Sequence, residues 1–228
     1  MYRPVLTRLA LRMGLLTMLA LIAACGGRPE ENEPRPLPEA EGQALRPGEY
    51  RSEEFEPSLT FKLGQGWATY TPEEPDVLRI ERGESGGLGF TNIRKVYEPT
   101  KTGSPEVADA PEDIVGWFQH HPYLRTTDPE PATVGGVEGV QFDVVVGKLP
   151  EGYHGVCLAI VGNDCVDIAK FSDEQILLHP KGFKGRVIVL EDVEGQTVTA
   201  YYGGATSQFA EVTPEAQKVI DTAKWGGS

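Results

Sequence analysis

Ten residues from Val137 to Val146 alternate, with Val140, Phe142, Val144 and Val146 on one side and Gln141 and Asp143 on the other. A period of two marks a strand with one face in a core and the other turned outward. A strand of that length is not stable alone, so this run commits the chain to a sheet. Ser58–Leu63, Trp67–Thr71, Asp76–Glu81 and Leu88–Val96 read as strands of an antiparallel meander, turned at Gly64–Gly66 and Gly83–Gly87. Further strands are expected near Val156–Ile160, Arg186–Leu190 and Thr197–Tyr202, the last two joined at Glu194-Gly195.

Two segments carry helix signals. Asp109-Ala110-Pro111-Glu112 offers a cap, a first-turn proline and an acid three residues on, followed by apolar Ile114, Val115, Trp117 and Phe118, and Pro122 ends the run. A second helix is expected with Thr213 as cap and Pro214 in first position, running through Val219, Ile220 and Ala223 to Trp225 before Gly226-Gly227. The expected fold class is α+β, an antiparallel sheet covered by helices, in one globular domain over residues 49–228.

The N-terminus is built differently. Arg3, Arg8 and Arg12 precede Met13–Ala24, 12 residues without charge. At 1.5 Å per residue such a helix covers about 18 Å, against roughly 30 Å of bilayer core. That length suits the apolar region of a secretion signal, not a permanent span. Leu21-Ile22-Ala23-Ala24-Cys25 resembles the bacterial lipobox, with Ile22 where Leu is commoner. The resemblance implies a signal peptide over residues 1–24, diacylglyceryl transfer to the Cys25 thiol, and acyl chains such as palmitate on the mature first residue. Two chains suffice for lasting attachment to a membrane. Residues 25–48 then read as a lipidated cysteine and a Pro/Glu-rich linker, with Leu37 and Leu45 its only sizeable apolar groups.

Lipidation of Cys25 leaves Cys157 and Cys165 as an even pair in an oxidising compartment. A disulfide between them closes a short loop worth about 2.6 kcal/mol on the chain-entropy estimate. Two buried thiols are the alternative. The formal net charge is −13, and loss of the first 24 residues with their three arginines leaves −16. A surface of that sign repels nucleic acid.

A strand running into Gly66-Trp67, the helix around Glu112-Asp113-Ile114-Val115-Gly116-Trp117 followed by His121-Pro122, and the closing hairpin with a Trp-ending helix resemble LpqN-type exported lipoproteins. They also resemble the wider PsbP-like α/β/α sandwich group. The resemblance covers about Pro57 to Trp225 and leaves Thr100–Ala108 and Pro150–Leu178 as unmatched inserts. It implies a binding or assembly role at the cell envelope without enzymatic activity.

The residues themselves offer little chemistry. Gly83-Glu84-Ser85-Gly86-Gly87 fits the G-x-S-x-G pattern, but a nucleophile elbow needs a helix after it, and Leu88–Val96 reads as a strand. His120 and His121 are adjacent, so they do not share a helix face as chelating pairs do. His121 reads as serving the helix C-terminus. Asn163, Asp164, Asp167, Asp173 and Glu174 lack the ligand spacing of a calcium loop. Trp67, Trp117, Trp225, Tyr123, Tyr201 and Tyr202 are the expected walls of any pocket. The reading is an exported, membrane-anchored binding or accessory protein, with no metal, no cofactor and an envelope ligand or protein as partner. An exported serine hydrolase using Ser85 and a purely structural surface lipoprotein are the alternatives.

Overall fold

The apolar alternation along the chain goes into sheet. The computed structural model describes residues 33–101, 104–153, 155–156 and 164–226. Its strands are β1 (Arg35–Pro36), β2 (Gly48–Arg51), β3 (Leu59–Leu63), β4 (Ala68–Thr69), β5 (Val77–Glu81), β6 (Gly87–Thr91), β7 (Lys95–Tyr97) and β8 (Val107–Asp109). After helix α1 (Ile114–His120) come β9 (Leu124–Thr126), β10 (Glu130–Val134), β11 (Val137–Val146), β12 (Cys165–Lys170), β13 (Ile176–Pro180), β14 (Phe183–Val193) and β15 (Gln196–Ala205). Helix α2 (Phe209–Ile220) and β16 (Lys224–Trp225) close the chain.

The main sheet has the order β10-β11-β14-β15-β6-β5-β4, with β9 also on β11. Its strands sort side chains to two faces. Leu78, Ile80, Leu88, Phe90, Ile188, Leu190, Val198, Ala200 and Tyr202 join one core, with Leu59 and Phe61 of β3 and Phe209, Val212, Ala216 and Val219 of α2. Phe142, Val144, Val187 and Val189 join a second core, with Val166, Ile168 and Leu177 of β12 and β13 and Ile114 and Phe118 of α1. The covering layers are themselves sheets, β1-β2-β3-β16 on the first core and β13-β12-β7-β8 on the second.

This overturns the expected α+β sandwich with helices over a sheet. The protein is mostly β, and strand layers cover both faces. Among the described residues α1 spans seven positions, about 10 Å of helix, and fills one corner of its core rather than a face.

Local boundaries moved with it. Asp113, not Asp109, caps α1, its Oδ1 accepting from Gly116 N–H at 2.7 Å, while Asp109 lies in β8 opposite Lys95. Helix α2 begins at Phe209, before Thr213 and Pro214, and Trp225 belongs to β16, paired with Leu59. Leu88–Val96 divides at Asn92, whose amide donates to the carbonyls of Glu56 and Pro75. The β14–β15 hairpin forms as read. Glu194 and Gly195 adopt φ of 52° and 83°, the conformation of the two-residue turn whose twist matches antiparallel strands.

The packed unit starts at Pro34, not at Glu49. Leu45 N–H donates to the Trp67 carbonyl, and both Leu37 and Leu45 are buried in the first core. The segment read as linker therefore contributes to the fold from Pro34 onward. Cys25 and the signal, Cys157, and all of Val156–Ile160 after its first residue lie outside the described residues. Leu45→Ala is expected to cost about 2–4 kcal/mol in urea unfolding, as a buried leucine does. No change in midpoint would return residues 34–48 to a solvated tether.

Candidate functional site

Cross-strand register sets up a bare strip on the second face of the main sheet. Arg79, Gly89, Tyr201 and Val187 lie opposite one another across β5, β6, β15 and β14, and Glu81, Gly87, Gly203 and Gly185 form the neighbouring row. Where Val187 and Val189 continue the core, β6 and β15 present glycines. Two of these glycines make room for large neighbours. A Cβ on Gly89 would stand 3.1 Å from Cγ of Arg79, and one on Gly185 would stand 2.6 Å from Oη of Tyr201. Both long side chains thus lie along the sheet instead of standing up from it.

Strand β13 crosses over this strip. At its start Gln175 is buried, and its Oε1 accepts from Arg79 Nη2 at 3.1 Å and from Thr71 Oγ1 at 3.0 Å. Its Nε2 donates to Glu74 Oε1 at 2.8 Å and to the Pro72 carbonyl at 3.1 Å. Near its end the buried His179 shares a hydrogen bond through Nδ1 with the Tyr201 hydroxyl, which lies over Gly185 of β14. One end of β13 is therefore fixed above β5 and the other above β14, so it runs across the strands below.

Between β13, the glycine strip and the 3-10 turn at Gly83–Ser85 lies a cleft of about 480 Å³ with mostly apolar walls. That volume falls within the range of small-ligand sites. Ile176, Leu177 and Leu178 line one side, and Tyr70 and Phe183, two exposed large hydrophobic residues, stand on its border. Glu41, Glu81, Glu84 and Glu174 make the rim acidic.

Arg79 is the cationic lining residue. Its guanidinium lies 5.5 Å from the centre of the Tyr70 ring and 6.0 Å from that of Phe171. Burial pushes its pKa down, while Tyr70 and Glu74 act to raise it. Among the described residues no carboxylate forms an ion pair with it, and its buried Nε has no hydrogen-bond partner. A guanidinium carries five donors and stays charged. A desolvated one with donors to spare can take a ligand carboxylate or a similar acceptor.

The residues singled out from sequence are dispersed. Ser85 sits in the 3-10 turn, and the strand β6 follows it. The glycines around it serve contact: a Cβ on Gly86 would fall 2.0 Å from the Gly203 carbonyl oxygen. His121 closes α1 through its backbone N–H, which donates to the Phe118 carbonyl, and its ring makes no cap to the helix carbonyls. Burial holds its pKa at about 4, and Nδ1 accepts from Tyr123 N–H at 3.3 Å. Exposed His120 sets its Nδ1 2.8 Å from the Gly116 carbonyl. Asp164 pairs with Lys181 and Asp173 with Lys170, while buried Asp167 accepts from Val156 N–H at 2.7 Å. Among the described residues no group of three potential ligands gathers for a metal. Of the six expected aromatic walls only Tyr201 lines the cleft; Trp67 and Tyr202 are in the first core. Arg79, Tyr70 and the glycine strip were not singled out, although Arg79 interrupts the apolar run Val77-Leu78-Ile80.

No family model matches the chain, and no curated protein does. The crystal structure of LpqN, involved in cell envelope biogenesis of Mycobacterium tuberculosis, aligns with 80% of this chain and 93% of its own at 10% identity and a TM-score of 0.32. A likeness that loose carries neither fold nor function across. No helix among the described residues is long and apolar enough to cross a membrane.

His179 and His121 give the fold a pH dependence. Burial holds both at about 4, below the ordinary 6.5. The unfolded chain takes up these protons near pH 6.5 and the folded one only near 4, so the stabilisation is complete above 6.5 and is lost as pH falls toward 4. Each group contributes up to about 3 kcal/mol at 1.36 kcal/mol per pKa unit. His121→Asn keeps an acceptor for Tyr123 N–H and removes one titration. Urea unfolding at pH 7.5 and 4.5 is expected to show a smaller pH effect in this variant. Equal effects in variant and parent would rule His121 out.

Proposed function

We propose that this chain is an exported lipoprotein, anchored through Cys25, that binds a ligand in the cleft beneath β13 and does no chemistry on it. The observation that carries the reading is Arg79. A guanidinium drawn largely out of water with no carboxylate in ion-pair contact, and only Glu74 acting from farther off, costs stability, and a binding role gives it a direct counter-charge. The apolar walls and the border aromatics Tyr70 and Phe183 add contact area of the kind found at recognition sites. The location rests on the signal architecture and the lipobox resemblance, and the net charge of −16 for the mature chain argues against nucleic acid as partner.

Two further readings compete. A serine hydrolase needs Ser85 beside a base, and the close glycine contacts of its turn already account for the motif. A purely structural lipoprotein has no use for the cleft.

The test uses the mature chain from residue 25 with Cys25→Ala, screened by thermal shift against envelope components and small metabolites, with esterase, peptidase and glycosidase substrates in parallel. A stabilising ligand whose effect Arg79→Gln reduces is the expected result. Turnover lost in Ser85→Ala would favour the hydrolase, and absence of any ligand would favour the structural reading. Two chemical predictions accompany it. In a lipoprotein-processing bacterium the full chain is expected to partition into detergent and Cys25→Ala is not; intact mass retaining residues 1–24 would contradict this. Thiol labelling of the unfolded, unreduced protein is expected to leave Cys157 and Cys165 unmodified, and labelling of both would show free thiols.

A further inference from the structure

We infer that the occupant of the cleft is a short extended peptide that pairs with the edge of β13 and sets its C-terminal carboxylate on Arg79. The inference rests on the cleft being the binding site and goes further by naming the ligand. β13 is the outer strand of its sheet, paired only with β12 among the described residues. Consecutive residues Ile176, Leu177 and Leu178, and then Pro180, line the cleft. Consecutive residues of a strand point to opposite faces, so a wall made of all of them is the strand seen edge-on, with its backbone groups toward the cavity. An edge of that kind is a template for one more strand.

The floor fits such an occupant. Gly87 and Gly203 present no side chains, and the atoms nearest them are backbone, so an added strand can lie close to the sheet beneath it. The two floor rows run parallel to β13, because β13 crosses from Arg79 on β5 toward β14. Five residues of β13 offer about 17 Å of edge. Polarity follows from Gln175. It stands at the N-terminal end of β13 and holds Arg79 there, and an antiparallel partner ends at that same place. The carboxylate then meets the guanidinium, whose Nε has no partner in the protein. The glutamates at positions 41, 81, 84 and 174 favour a cationic side chain in the peptide and disfavour a polyanion.

The experiment titrates the mature Cys25→Ala chain with the pentapeptide Ac-Thr-Val-Lys-Val-Leu as free acid and as C-terminal amide, and with decanoate, by calorimetry. The free acid is expected to bind, and amidation or Arg79→Gln is expected to weaken it about tenfold or more, as loss of a charge-assisted pair does. N-methylation at the central Lys and at the preceding Val removes donors on opposite edges of the peptide. One of these two peptides is expected to lose binding and the other to keep it. Both binding like the parent would overturn strand pairing, and equal affinity of acid and amide would overturn the carboxylate at Arg79. Decanoate binding through Arg79 with no peptide bound would overturn the peptide and leave the cleft reading standing. No binding of either would also overturn the peptide; the cleft reading itself fails separately, if ligands from the thermal-shift screen are indifferent to Arg79→Gln.

Discussion

The site depends on one buried amide. Gln175 uses both ends of its side chain, two acceptor contacts on Oε1 and two donor contacts on Nε2, to join the start of β13 to Arg79 and to the loop from Thr71 to Glu74. Ser172 adds a hydrogen bond to the same Glu74 carboxylate at 3.1 Å. A buried polar side chain is tolerated when its groups are satisfied, and removing one member leaves several others without partners. This network holds a covering strand off the sheet at the place where glycines leave the sheet bare. The cleft is the space that results.

The rest of the architecture is a main sheet with two apolar faces. On β14 and β15 successive residues alternate between the two cores, Ile188 and Leu190 against Val187 and Val189, and Tyr202 against Tyr201. Both faces need cover, and the chain supplies it mostly with strands. Along β5 and β6 the alternation holds on one face only: Leu78, Ile80, Leu88 and Phe90 face the first core, while Arg79, Glu81, Gly87 and Gly89 face the cleft. The cleft lies at the end of the sheet where the second core stops.

Much of this was legible from residue order. Val137–Val146 coincides with β11, and the Glu194-Gly195 hairpin, β3 and β5 fall where alternation put them. The third sheet was not legible, and the reason is physical. Cys165–Lys170 is buried at five consecutive positions, so β12 shows no period of two, and an acid within it, Asp167, reads as loop. Without that sheet the second core had only helices to cover it, which produced the α+β expectation. Leu37 and Leu45 were discounted because prolines and glutamates surround them, yet two isolated leucines suffice to tie a segment down when its backbone also finds partners. Arg79 stood at an outward position of an alternating strand, where a charged residue ordinarily meets solvent. Only the strand crossing above it makes that position a site, and no spacing in the sequence records that crossing.

The central claim is that Gln175 holds β13 above a sheet that is stable without it. Native-state amide hydrogen exchange on Gln175→Leu tests this directly, since exchange resolves local opening from global unfolding. The account predicts lost protection in Ile176–Pro180 and Cys165–Lys170, with Phe183–Val193 and Gln196–Ala205 protected as in the parent. Protection unchanged in β13, or lost evenly across all four strands, would contradict it.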